Sequence, residues 1–130
     1  ADAVTAARRR VWETYHEVFA ELEAEGRLRR PRVPPGAVHN GHLYYLRLPD
    51  LPAREALRRH LASRGVESVF HYVPLHTAPA GRRFGRVHGP MDATEAASAG
   101  VLRLPVWPGM DREIGIVIAA VRDFFGPAGD

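Results

Sequence analysis

The sequence predicts an α+β domain in two layers, a small three-stranded sheet covered by helices, mostly on one face. Three observations carry this. An apolar stripe at helical spacing opens the chain, three short β-rich segments bounded by Gly, Pro or Asn follow, and helical segments with start or stop signals stand between them. A chain of 130 residues, 45% hydrophobic and 25% charged, can build one core but not two, so a single domain is expected over residues 1–130.

Val4, Ala7, Val11, Tyr15, Val18 and Leu22 recur at spacings of three and four, with Trp12 and Phe19 flanking the stripe. This pattern predicts an amphipathic helix of about 25 residues that ends near Gly26. Its arginines come first and its glutamates later, against the macrodipole, and no N-cap residue precedes it. Both features suit a helix continued from a longer one. The proline-rich run 30–36 cannot be helical.

His42 to Leu48 reads as a strand between Asn40-Gly41 and Pro49. Asp50 then caps a helix with Pro52 in its first turn, Leu57 and Leu61 on its buried side and Gly65 at its end. Val66 to Val73 is the second expected strand, closed by Pro74, and residues 74–90 read as loop. Asp92-Ala93-Thr94-Glu95 fits a capping box for a short helix ending at Gly100. Val101 to Val106 is the third expected strand. A last helix is expected from near Asp111, burying Ile114, Val117, Ile118, Val121 and Phe125 and stopping at Gly126-Pro127.

Composition excludes several chemistries. There is no cysteine, hence no disulfide framework and no thiolate metal site. All 18 basic residues are arginine, so Schiff-base chemistry on a lysine amine is excluded within this chain, and so is a P-loop. None of Ser63, Ser68 and Ser98 sits in a nucleophile elbow, and no carboxylate pair suits glycoside hydrolysis. The seven histidines show no helical metal-binding pair, so no metal is expected. With neither a membrane-length apolar run nor a signal-like apolar region, no membrane association is expected and the location is read as cytoplasmic.

The net charge is +3, and the pI of 9.9 reflects arginine's refusal to titrate. Arginine clusters at residues 8–10, 27–32 and 82–86 can contact phosphates or simply face solvent. They lack the interleaved aromatics of a stacking nucleic-acid surface.

The densest unusual stretch is Phe70-His71-Tyr72-Val73-Pro74-Leu75-His76, leading into Arg82, Arg83, Phe84 and Arg86 among glycines. Two readings stand at this point. Imidazole, phenol and guanidinium groups at a sheet edge suit a ligand with a ring and a phosphate. Equally, Phe70 and Tyr72 could be core, with the histidines on the surface.

The strings FHYVPLHTAPAGRRFGRVHG and TEAASAGVLRLPVWPGM resemble the C-terminal region of the pyridoxal-phosphate (PLP)-dependent sugar aminotransferases of the DegT/StrS type. Within them they look most like the dTDP-4-amino-4,6-dideoxygalactose transaminases, and Asn40 to Tyr45 resembles their first small-domain strand. The resemblance runs from about Trp12 to Phe125.

It implies the C-terminal small domain of a fold-type-I aminotransferase, with a mainly antiparallel sheet and residues 1–28 belonging to a long interdomain helix. The catalytic N-terminal domain is expected to lie outside this chain. The implied reaction moves an amino group from L-glutamate to the C4 ketone of a dTDP-4-keto-6-deoxyhexose, through PLP, in a cytoplasmic homodimer of the deoxysugar pathways.

The lysine-free chain is expected to be non-catalytic alone and to hold no cofactor. By resemblance, His71, Tyr72 and His76 occupy the family's HY-x-PLH motif on the sugar-nucleotide side. Arg82, Arg83, Phe84 and His88 follow in the loop that would meet the diphosphate or base. Arg103 would bind a carboxylate or phosphate, or form a structural ion pair. Asn40 would orient the strand start, or serve as a turn residue. The rival readings are a stand-alone nucleotide-sugar-binding or interaction domain, and a basic nucleic-acid-binding module.

Overall fold

A computed structural model describes residues 1–126. In chain order the elements are α1 (Asp2–Val18), α2 (Ala20–Ala24), β1 (Tyr44–Arg47), α3 (Leu51–Ser63), α4 (Pro79–Phe84), α5 (Asp92–Gly100), β2 (Val101–Leu104) and α6 (Glu113–Phe125). The fold is the expected mixture of helices and a small antiparallel sheet. The expected third strand is corrected: among the described residues the sheet has two strands, β1 and β2.

Tyr44 pairs with Leu104 and Leu46 with Leu102, so these four buried side chains share one face of the ribbon. Tyr45, Arg47, Val101 and Arg103 occupy the other, less buried face. Of the predicted strand 66–73, only Val69 pairs, through a bridge to Arg103 (2.8 and 3.3 Å). In this register Pro105 falls opposite Glu67 and has no N–H to offer it, and at the other end the Tyr72 carbonyl accepts the Ser98 hydroxyl hydrogen (2.7 Å). On the other edge Arg29 bridges to Arg47 with two bonds of 2.9 Å.

The opening stripe forms two helices rather than one. Phe19 (φ −90°, ψ 8°) interrupts the helical path between α1 and α2, although its N–H still bonds to Tyr15. Val11, Trp12, Tyr15, Phe19 and Leu22 are buried, while Val4 is exposed. Tyr15 stands 5.2 Å from Tyr44, and Trp12 meets Tyr44 edge-on at 5.4 Å. Such ring pairs contribute about 0.5–1.5 kcal/mol each beyond area burial.

Asp50 caps α3 as expected, its carboxylate accepting the Ala53 N–H at 2.8 Å, and Leu57 and Leu61 are fully buried. α6 starts at Glu113 rather than Asp111. It buries Val117, Ala120 and Val121, with Ile114, Ile118 and Phe125 partly buried against the core. Gly126 ends it, and Pro127 lies outside the described residues. No helix among these residues is long and apolar enough to cross a membrane.

The expected loop 74–90 contains α4, which Pro79 starts with its preset φ. The capping box at α5 is absent. Met91 is the N-cap residue, no side chain caps the helix, and Glu95 is engaged elsewhere.

Candidate functional site

Beyond Val69 the chain leaves the sheet edge, and α3, α5 and β2 each hold part of it. Arg54 of α3 lies over the Phe70 ring at 4.1 Å. Ser98 of α5 binds the Tyr72 carbonyl. Arg103 of β2 reaches His71 Nδ1 at 3.1 Å and stands 5.5 Å over the Tyr72 ring, while His71 and Tyr72 stack at 4.4 Å. A guanidinium can only donate, so His71 Nδ1 is the acceptor and the ring's hydrogen sits on Nε2. His71 and Tyr72 are exposed, and Arg103 is partly buried. The three form one aromatic and cationic surface. Phe70 and Tyr72 are not core, which decides between the two readings of their burial.

The turn at Pro74 opens a cavity of about 610 Å³. Leu75, Val87 and Met91 supply its apolar wall, and His76, Arg82, Arg86 and Thr94 its polar groups. Thr77 closes the turn by donating its hydroxyl to the Pro74 carbonyl (2.9 Å). Gly81 of α4 packs directly on it: a Cβ there would fall 1.5 Å from the Leu75 carbonyl oxygen. His76 faces Glu95 across the rim, Nε2 to Oε1 2.9 Å. The arrangement can hold an oxyanion on two guanidinium forks beside a hydrogen-bonding imidazole.

The other predicted residues lie apart from this cavity. Arg83 covers its neighbour Phe84 at 4.8 Å, and Phe84 and His88 are exposed without lining it. Asn40 uses Oδ1 to accept the His42 N–H (3.1 Å) and to meet the His42 ring (2.7 Å), a local turn. It lines a different groove with Trp12 and His39.

Residue-type reasoning missed Glu95, Ser98, Thr94 and Met91. Thr94 and Glu95 carried a signal, but the capping-box pattern absorbed it.

A neighbouring groove of about 580 Å³ contains Trp12, His16, Glu23, Arg30 and His39. Glu23 accepts the Arg30 backbone N–H and its guanidinium, all at 2.8 Å. Led by that backbone bond, these contacts hold its carboxyl below the usual range. Burial, then Arg30, lowers His16, whose ring stacks on Trp12 at 4.5 Å. No cluster of three metal-ligating side chains occurs among the described residues.

Comparison with known proteins identifies the class first. The chain superimposes on DesV of S. venezuelae, solved with a ketimine intermediate, with a TM-score of 0.84 and 28% identity. The match covers 98% of this chain and 33% of that one. The architecture is therefore that of a part of an aminotransferase.

The chain belongs to the DegT/DnrJ/EryC1/StrS aminotransferase family, whose sequence pattern matches residues 1–122. It is 36% identical over 84 residues to the erythromycin biosynthesis sensory transduction protein EryC1 of Saccharopolyspora erythraea, covering 64% of this chain and 22% of that protein. It is 35% identical over 85 residues to a dTDP-3-amino-3,4,6-trideoxy-alpha-D-glucose transaminase of Streptomyces venezuelae, with the same two shares. The chain thus matches about a fifth to a third of these proteins' lengths. The family is one of PLP-dependent sugar aminotransferases.

Proposed function

We propose that residues 1–130 are the C-terminal small domain of a PLP-dependent nucleotide-sugar aminotransferase, with residues 1–28, which carry α1 and α2, as its interdomain segment. The parent enzyme transfers the amino group of L-glutamate to a ring ketone of a dTDP-linked 4-keto-6-deoxyhexose, as a cytoplasmic homodimer. The observation that carries this reading is the convergence of His76, Arg82 and Arg86 on one cavity beside the His71–Tyr72–Arg103 surface.

In this reading Arg82 and Arg86 take the diphosphate, because guanidinium forks match phosphate oxygens. Tyr72 and His76 contact the sugar. Arg83, Phe84 and His88 form the outer loop towards the base, Arg103 orients His71, and Asn40 shapes the chain before β1.

This chain's own residues do not fit PLP. It has no lysine to receive the cofactor's carbonyl, and among the described residues no carboxylate lines the cavity to pair with a pyridine nitrogen. Cofactor and proton-transferring lysine are assigned to the enzyme's other domain, and no step of the chemistry is assigned here. The chain alone is non-catalytic.

C4 is the ring position implied by the resemblance to dTDP-4-amino-4,6-dideoxygalactose transaminases. The curated relative named for a 3-amino product supports a second reading, transfer at C3. Assaying the intact enzyme with 3-keto and 4-keto dTDP-hexoses separates the two.

The test of the site is His76→Ala in that enzyme. Turnover of the dTDP-keto-sugar falls about tenfold or more while PLP stays bound, the scale of one lost ligand hydrogen bond. Unchanged kinetics remove His76 from the site. Tight dTDP-sugar binding by the isolated chain would favour a stand-alone binding domain instead.

A further inference from the structure

α5 meets the HY-x-PLH stretch at two points. Glu95 Oε1 lies 2.9 Å from His76 Nε2, and Ser98 donates its hydroxyl to the Tyr72 carbonyl at 2.7 Å. Residues three apart share a helix face, so one face of α5 reaches both ends of the stretch. The helix is itself anchored at its far end. Arg54 donates to the Ser98 carbonyl (3.2 Å), and Leu48 donates to the Gly100 carbonyl (2.9 Å).

The Glu95 side chain is diverted from the local role its position suits. In the first turn of a helix a carboxylate favours the free N–H groups and the dipole. Here α5 has no side-chain cap, and Glu95 turns to His76. The two partners differ in exposure: 15% for the His76 side chain against 56% for Glu95. A contact held by so exposed a carboxylate contributes only about 0–1 kcal/mol to stability. What it does strongly is orient. A carboxylate only accepts, so the His76 hydrogen stays on Nε2. With that hydrogen on Nε2, the imidazole tautomer leaves Nδ1 as an acceptor, and no described residue bonds to it. An acceptor matches a ligand hydroxyl, whereas phosphate oxygens require donors, which Arg82 and Arg86 supply in the same cavity.

We propose that Glu95 is the positioning residue of His76, holding its Nε2–H so that Nδ1 accepts from a hydroxyl of the sugar. The inference rests on the proposed function above, and the experiment separates the two. In the intact enzyme, wild type, E95A, E95Q, H76A and the E95A/H76A double variant are compared for KM of the dTDP-linked keto-sugar, KM of L-glutamate, inhibition by dTDP, and Tm.

E95A is expected to raise the keto-sugar KM about five- to tenfold, one hydrogen bond's worth. The glutamate KM, the dTDP inhibition constant and the Tm stay as in wild type. E95Q stays near wild type, because its side-chain oxygen still accepts. The double variant is no worse than H76A.

Three outcomes overturn the inference while H76A still supports the site: an E95A effect that persists in full on H76A, an E95Q as impaired as E95A, or weakened dTDP inhibition in E95A. A Tm lowered in E95A in step with its KM also overturns it, by making the contact structural. An H76A enzyme with unchanged sugar kinetics overturns the proposed site itself.

Discussion

Arg54 and Ser98 join α3 to α5. The Arg54 side chain, 6% exposed, donates to the Ser98 carbonyl at 3.2 Å, while its guanidinium also binds Glu55 at 2.9 Å and covers the Phe70 ring. Ser98 in turn holds the Tyr72 carbonyl through its hydroxyl. A buried arginine thus supports the exposed cluster from beneath. Truncation leaves the part-buried Ser98 carbonyl unpaired and a void under Phe70, so Arg54→Ala is expected to cost about 2–4 kcal/mol. Urea unfolding checks it, and Arg54→Met, which fills the void, recovers part of the loss.

Gly81 offers a reversal of helix propensity. In a helix Ala is favoured over Gly by about 1 kcal/mol. Here the added methyl group meets the Leu75 carbonyl oxygen at 1.5 Å, backbone that cannot step aside. Gly81→Ala is expected to displace α4 from the Pro74 turn. Hydrogen exchange will read this as lost protection in residues 79–85 with the core unchanged. Gly100→Ala, whose Cβ would lie 2.3 Å from the Leu48 carbonyl oxygen, should lower stability by about 1–3 kcal/mol.

The paired Leu46 and Leu102 are both fully buried and directly opposed in the register. Leu46→Ala and Leu102→Ala are each expected to cost about 2–5 kcal/mol. The double variant should depart from their sum, because the two cavities merge. Chemical denaturation of the four proteins measures the coupling.

Acid sensitivity follows from three groups. Glu23 is held below its ordinary 4.5 by the Arg30 backbone N–H and side chain, and Glu55 by Arg58 and then Arg54. A depressed carboxyl stabilises the fold above the ordinary value and loses that contribution as pH falls through the folded one. His16, kept below 6.5 by burial and then by Arg30, adds a separate loss as pH falls below 6.5, since the unfolded chain takes the proton more readily. Stability should therefore decline in two windows, one below about 6.5 and one below about 4.5. Melting temperatures from pH 8 to 3 check this. His16→Phe flattens the first window, and Glu23→Gln with Glu55→Gln flattens the second.

Local chemistry made much of the fold legible. The Asp50 cap, the Pro52 start and the Leu57 and Leu61 stripe depend on near neighbours and appear as read. The strands expected at 42–48 and 101–106 also form, over the shorter spans Tyr44–Arg47 and Val101–Leu104. Long-range competition defeated the remaining readings. Residues 66–73 have strand composition, yet only Val69 pairs with β2, and Pro105 lacks the N–H that Glu67 would need. Thr94 and Glu95 have the spacing of a capping box, yet His76, nineteen positions away, takes the carboxylate. α4 hid in a glycine-rich stretch because Gly81 serves close packing there, which spacing alone does not reveal.

By itself the sequence determined an α+β domain, the motif that resembles the family, and the absence of any lysine from the chain. These are matters of residue identity and nearest neighbours. Only the tertiary structure decided which side chains share a site. It drew Glu95, Ser98 and Arg54 to the histidine motif and set Asn40 in another groove. Each of those contacts spans a long stretch of chain, and a side chain's partner across such a distance is chosen by the packing of α3, α5 and β2, not by its own neighbours.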